Sequence, residues 1–219
     1  RCCTQNGVRG GSATVHFPIW HQEIEDILVL KNNKGTEDNR VRKLDYSIQI
    51  SKLFYERFIK NTDITLFSPN QVPGLYEAFG MPEFDSLYLK YEKDKSIPKQ
   101  TIGAQELFQA LLKERAETGR IYIMNLDHCN THSSFKDKIY MSNLCQEITL
   151  PTTPVQHIDD KEGEIALCIL SAINLGLLTD MNELEELCDL SVRALDEIID
   201  YQEYPVEAAK ISTQARRSL

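Results

Sequence analysis

Three side chains at alternate positions of one short segment could share a reaction: Asn143, Cys145 and Glu147, in SNLCQE at residues 142–147. In a strand, alternate residues face the same side, so an amide, a thiol and a carboxylate would stand in a row. The plainer reading is a buried strand with a packed cysteine and two polar residues turned to solvent. Polar groups on the side of a buried cysteine cost free energy unless that side is a site, so the row marks a candidate site. A second thiol, Cys168, follows in IALCILSAINLG, residues 165–176. In so apolar a run a lone cysteine reads as core.

Other groups are less specific. The glycine-rich stretch over residues 1–14 holds TQNGVRGG, where Gly7, Gly10 and Gly11 permit close approach of the backbone to a ligand. Taken alone it reads as a glycine turn with a solvated Arg9. In DHCNTH, residues 127–132, His128 and His132 lie four apart and invite a zinc reading. No second CxxC or HxxxH half exists, and the segment follows a strand, so structural polar packing is the better reading and no metal is assigned. His16, His21 and His157 are isolated and remain unassigned. The acidic stretch 159–164 reads as a solvated loop.

The elements that must position these groups alternate between two periods. Residues 14–19 read as a strand, 21–30 as a helix burying Ile24, Ile27 and Leu28, and 31–43 as a polar loop. A strand at 46–50 is followed by a helix capped by Ser51, with Leu53, Phe54 and Phe58 inward. A short strand at 64–67 leads into a looser, proline-punctuated region over 70–100. A helix over 102–118 carries Ala104, Leu107, Phe108, Leu111 and Leu112 inward and stops at Gly119. A strand covers 121–126. Segments 142–150 and 165–175 read as strands buried on both faces. Asn182 and Glu185 form a possible capping box for a helix facing inward through Leu184, Leu187, Cys188, Ser191, Leu195, Ile198 and Ile199. Strands alternating with helices give an α/β layer or barrel.

The chain of 219 residues, 42% hydrophobic and 26% charged, suits a soluble domain or part of one. A net charge of −9 argues against nucleic acid and against an anionic membrane surface as partners. No apolar run approaches the roughly 20 residues of a membrane span. The six cysteines are widely spaced and form no CxxC pair, which fits free thiols in a reducing cytoplasm. The first residue is Arg1, and both ends look cut, so the chain reads as a fragment.

NGVRGG, TGRIYIMNLDHCNTHS, MSNLCQEI, GEIALCILSAINLG and DYQEYP follow one another in this order. Together they resemble the large, catalytic subunit of class I ribonucleotide reductases, above all the phage and enterobacterial branch, and the likeness runs from Gln5 to Leu219. The resemblance implies part of a ten-stranded α/β barrel over residues 1–219. It implies a specificity loop at 1–14 and the radical-cysteine and redox-cysteine strands at 142–176, with Cys145 on a turn or strand end inside the barrel and Cys168 on an adjacent strand. Cys145 matches the cysteine that carries a thiyl radical. Glu147 matches the carboxylate that takes the ribose 3′-hydroxyl proton, and Asn143 the amide that holds the ribose hydroxyls. Cys168 matches one half of the dithiol that supplies two electrons and becomes a disulfide. Gln5, Arg9, Gly10 and Gly11 match the loop between effector nucleotide and substrate base, with Gln5 and Arg9 as readers.

The same resemblance implies a ribonucleoside diphosphate substrate and reduction by a thioredoxin- or glutaredoxin-type dithiol. It implies no cofactor held by this chain: the radical comes from a metal cofactor in a separate small (beta) subunit, and ATP or dNTP effectors act on the complete large subunit. Setting would be cytoplasmic, the host cytoplasm if phage-encoded. The family places the partner thiol of Cys168 well upstream of the glycine loop, so Cys2 and Cys3 are not given that role. The nucleotide-binding cone, much of the phosphate site, the relay tyrosines and the C-terminal cysteine pair are not in this sequence, so the chain needs the remaining large-subunit segments to turn over. Two other classes stay open: a catalytically silent nucleotide-binding or assembly module, opposed by Asn143, Cys145, Glu147 and Cys168 together, and a glycyl radical enzyme, whose glycine motif is absent.

Overall fold

Gly7 adopts a left-handed backbone (φ 74) and lets the chain reverse between two short antiparallel strands, β1 (Thr4–Gln5) and β2 (Arg9–Gly10). The computed structural model describes residues 4–5 and 7–219, and only the backbone of Gln5. Cys2, Cys3 and the Gln5 side chain therefore lie outside the described residues. By internal contacts the chain divides into two compact units, residues 1–149 and 150–219.

The first unit is built on three parallel strands: β3 (Thr14–Pro18), β4 (Asp45–Ile50) and β7 (Ile121–Asn125), in the order β3-β4-β7. Parallel neighbours need crossovers. Helix α1 (Ile24–Leu28) lies in the first, and α2 (Lys52–Lys60) and α5 (Ala104–Thr118) lie in the second. The second crossover also holds an antiparallel pair, β5 (Asp63–Leu66) with β6 (Gln100–Gly103), and two short helices, α3 (Leu75–Ala78) and α4 (Phe84–Lys93). Helix α6 (Leu126–Thr131) follows β7 directly.

Register gives the sheet two unlike faces. Val15, Tyr46 and Ile121 stand level, as do Phe17, Ile48 and Ile123. Tyr46, Ile48 and Ile121 join the buried core with Ile24, Phe54, Leu107 and Leu111, and Phe17 and Ile123 pack against it. The opposite face carries Thr14 and His16 from β3, Asp45, Ser47 and Gln49 from β4, and Tyr122 and Met124 from β7. Ser47 and Gln49 are both 0% exposed, so this polar face is covered as well.

The expected α/β class holds, but among the described residues the parallel strands number three and no closed barrel forms. The loose region over 70–100 contains α3 and α4, and the charged YEKDKS stretch straddles the end of α4 at Lys93. Ile102 belongs to β6, and the helix begins at Ala104. In α5, Leu112 is exposed and Glu114 takes the buried position, where its carboxylate accepts from Asn32 Nδ2 at 3.1 Å. Ser51 stands at the start of α2 without a side-chain cap bond.

In the second unit, α7 (Glu183–Tyr201) and α8 (Glu207–Arg216) are the two helices. Leu195 and Ile199 are buried, whereas Cys188 and Ile198, expected inward, are exposed. The Asn182 cap bond does not form. Asp180 instead takes the Asn182 backbone N–H at 2.9 Å. The acidic stretch is not a plain solvated loop: Asp160 is buried and accepts backbone N–H groups from Gln156, Glu162 and Gly163. These bonds hold its carboxyl below the usual range. No strand forms over 165–174. The Ile165 N–H bonds the Ala208 carbonyl at 3.2 Å and the Ile169 N–H that of Ser218 at 3.1 Å, so their backbone donors go to helix α8 and the chain end rather than to a ladder.

Candidate functional site

The segment 142–148 is a turn, so Cys145 sits on a turn as expected, while the strand-like alternation of its neighbours is not realised. Gln146 adopts φ 67, which breaks the alternation of an extended chain. The Asn143 N–H donates to the Ile148 carbonyl, and the Gln146 N–H to the Asn143 carbonyl, each at 3.4 Å. The Asn143 side-chain oxygen accepts from the Ile148 N–H and from Ser142 Oγ, both at 3.2 Å. Its amide carbonyl is thus spent on closing the turn, as an Asn does where the backbone leaves regular structure. Cys145, a free thiol, and Glu147 are exposed on this turn, and Asn143 is half-buried.

The polar sheet face receives the turn. Thr14 Oγ1 donates to the Leu144 carbonyl at 2.6 Å. His16 Nε2 lies 3.1 Å from the Ser142 carbonyl. A carbonyl only accepts, so Nε2 carries the hydrogen and Nδ1 is a bare acceptor, buried without a partner among the described residues. Burial pushes the His16 pKa down and outweighs the bond to Ser142, which pulls it up. Gln49 Nε2 donates to the Tyr140 carbonyl, and Gln146 Nε2 to Ser47 Oγ. Partial burial, and next the Cys145 thiol beside it, push the phenol of Tyr122 from β7 up.

None of Thr14, His16, Ser47, Gln49 and Tyr122 was assigned a role from sequence. Their signal is a polar residue at every second position of strands whose other positions are apolar, which in a parallel sheet flags a covered polar face.

An open cleft of about 350 Å³ lies beside the turn, at the carboxyl end of β7. Asn125, His128, Cys129, His132, Ser142 and Gln146 are among its walls. His128 and His132 lie on or at the end of α6, a helix rather than a strand continuation, with ring centroids 5.6 Å apart. Among the described residues no group of three or more His, Cys, Asp or Glu side chains could hold a metal ion. Asp127 turns away to accept the Lys52 backbone N–H.

The glycine loop is the β1–β2 hairpin, with Gln5 level with Arg9. Arg9, Gly10 and Gly11 are exposed. Cys168, half-buried, belongs to the second unit, and the turn that holds Asn143, Cys145 and Glu147 belongs to the first. No helix among the described residues is long and apolar enough to cross a membrane.

Comparison with known proteins assigns this architecture. The ribonucleoside-diphosphate reductase subunit alpha of Haemophilus influenzae is 60% identical over 100% of this chain and 30% of that protein. The corresponding subunit 1 alpha of Escherichia coli is 58% identical, over 100% of this chain and 29% of its own length. That of Enterobacteria phage T4 is 46% identical, over 100% and 30%. The chain thus spans under a third of the relatives it matches. The family described as ribonucleotide reductase, barrel domain, matches residues 1–219. With this match along its whole length, the chain belongs to the ribonucleotide reductase barrel-domain family.

Proposed function

We propose that this chain supplies the radical cysteine and one redox cysteine of a ribonucleoside-diphosphate reductase. The carrying observation is the turn itself: Cys145 exposed, with Glu147 exposed two residues on and Asn143, half-buried, closing the turn through its side-chain oxygen. In this reading Cys145 gives up its hydrogen atom to become a thiyl radical and then takes the ribose 3′ hydrogen. Glu147 accepts the 3′-hydroxyl proton, work that needs only hydrogen-bond reach. Asn143 holds the ribose hydroxyls with its amide N–H groups, since its oxygen serves the turn. Cys168 and a second thiol supply two electrons and close to a disulfide. A site beside the carboxyl end of a parallel strand is where α/β folds place their ligands.

The substrate is a ribonucleoside diphosphate, and the hairpin residues Gln5, Arg9, Gly10 and Gly11 read the base and effector nucleotide. Partners are the remaining large-subunit segments, a radical-generating small subunit whose metal cofactor starts the reaction, and a thioredoxin- or glutaredoxin-type dithiol. The setting is the cytoplasm.

The test is made in the complete enzyme. Cys145→Ser should abolish reduction while substrate still binds, because an O–H bond is too strong to yield the radical. Cys168→Ser should let the radical step begin but stall the reductive half. Deoxynucleotide formation by Cys145→Ser would rule out the assignment.

A further inference from the structure

Carbonyls at alternate positions of the segment entering the turn are received by sheet side chains: Tyr140 by Gln49, Ser142 by His16 and Leu144 by Thr14. The pattern has a register. Thr14 and His16 are two apart on β3, so they face the same side about 6.6 Å from each other. Gln49 stands level with Pro18, the next position of that face. Going up β3 from position 14 through 16 to 18, the bound carbonyls run down from 144 through 142 to 140. The segment therefore crosses the sheet antiparallel to β3, with side-chain donors in place of a neighbouring backbone. Proline has no donor to offer at the third position, and the longer glutamine arm from β4 supplies it.

We infer that Thr14 and His16 are positioning residues for the Cys145 thiol, fixing by hydrogen-bond register where the turn presents it. The inference rests on the reading of Cys145 as the radical cysteine. Two consecutive anchors exclude a slip of one residue, which would turn the carbonyls away from the sheet, and oppose a slip of two, which would carry the thiol about 6.6 Å along β3. His16 suits the task because its ring is rigid and half-buried, with Nε2 on the Ser142 carbonyl and Nδ1 shut away from solvent. Hydrogen-atom transfer between a sulfur and a ribose carbon depends on distance, so a displaced thiol should lose turnover before it loses substrate.

The experiment uses the complete reductase with its small subunit, and scores kcat per folded enzyme and KM for the diphosphate. His16→Met and Thr14→Val remove the donors at near-constant volume. Each should lower kcat about 10- to 100-fold, the scale of roughly 1 Å misplacements, with KM changed by less than about twofold. His16→Gln and Thr14→Ser restore a donor of similar reach and should recover kcat to within about threefold. Unchanged kcat in His16→Met and Thr14→Val would overturn the inference. So would a raised KM at constant kcat, or failure of both conservative variants to recover. If His16→Met does not fold, the Thr14→Val and Thr14→Ser pair decides alone. Cys145→Ser in the same assay separates the two levels: residual reduction there sinks the cysteine assignment, whereas its loss alongside an unaffected His16→Met sinks only the positioning role.

Discussion

Asp127 accepts the backbone N–H of Lys52 at 2.6 Å, so a carboxylate from the start of α6 caps helix α2 from 75 residues away. Ser51 precedes that helix but leaves the bond to Asp127. An N-cap oxygen contributes about 1 kcal/mol. Asp127→Ala should therefore lower unfolding stability by about 1–2 kcal/mol. Asp127→Asn, which keeps an acceptor oxygen, should recover most of it. Urea unfolding of both variants checks this; equal losses would point to charge rather than capping.

Gly80 carries the second packing prediction. Its φ is +84, and a Cβ there would lie 2.7 Å from Leu126 Cγ and 3.0 Å from Asn130 Nδ2. Asn130 holds Ile139 from both sides, donating to its carbonyl at 3.0 Å and accepting its N–H at 2.9 Å. Gly80→Ala thus combines backbone strain with overpacking and should cost about 2–4 kcal/mol. Gly7→Ala shares the positive φ but meets nothing within 4 Å. It should cost only about 1 kcal/mol. Comparable unfolding midpoints for the two variants would contradict the steric account.

Residues 24, 27 and 28, and the stop at Gly119, were legible because helical period and a left-handed glycine are local signals. The chemistry of Asn143, Cys145 and Glu147 was legible as residue types, and the turn at Cys145 from the family resemblance, but their own spacing pointed to a strand. Their alternation imitates a strand, and what breaks it, Gln146 at positive φ, is held by a side-chain hydrogen bond to Ser47, a partner distant in sequence. His16 and Gln49 were hidden for the same reason: their roles appear only once β3 and β4 lie side by side. The run 165–175 misled because apolar β-rich composition signals burial, while strand formation needs a partner edge that the described residues do not supply.

The Arg57–Glu92 pair gives a pH dependence. Arg57 grips Glu92 through two nitrogens at 2.5 and 2.6 Å, and Thr65 Oγ1 donates to the same carboxylate at 2.6 Å. Burial pushes the Glu92 carboxyl up, but these bonds outweigh it and hold the group below its ordinary value. The unfolded carboxylate titrates near about 4.3. As pH falls, the unfolded chain takes the proton first, so the stabilisation present above about pH 4.3 is lost as pH drops through the folded-state value. Glu92→Gln should be less stable at pH 7, and its stability should fall less between about pH 5 and pH 3. Parallel stability curves for the two proteins across that range would refute the linkage.

The second unit leaves large apolar side chains in solvent: Leu170 is 70% exposed, Leu175 60% and Leu177 78%, all in or beside the segment without a ladder. Apolar residues exposed singly are ordinary, but a run of this kind is a contact surface. A segment of β-prone composition with unpaired backbone is also an aggregation template. In the proposed enzyme the remaining large-subunit segments cover it. The 219-residue chain produced by itself should therefore self-associate. Leu170→Lys with Leu177→Lys should raise the monomer fraction, since charge opposes both burial and edge pairing. Co-expression with the flanking segments of a reductase alpha subunit should restore solubility to the unsubstituted chain. The lysine variant should not associate with those segments, because its covering contacts are lost. Light scattering after size-exclusion chromatography reads both arms. A monomeric unsubstituted chain with no affinity for those segments would mean that this apolar run is surface in its own right.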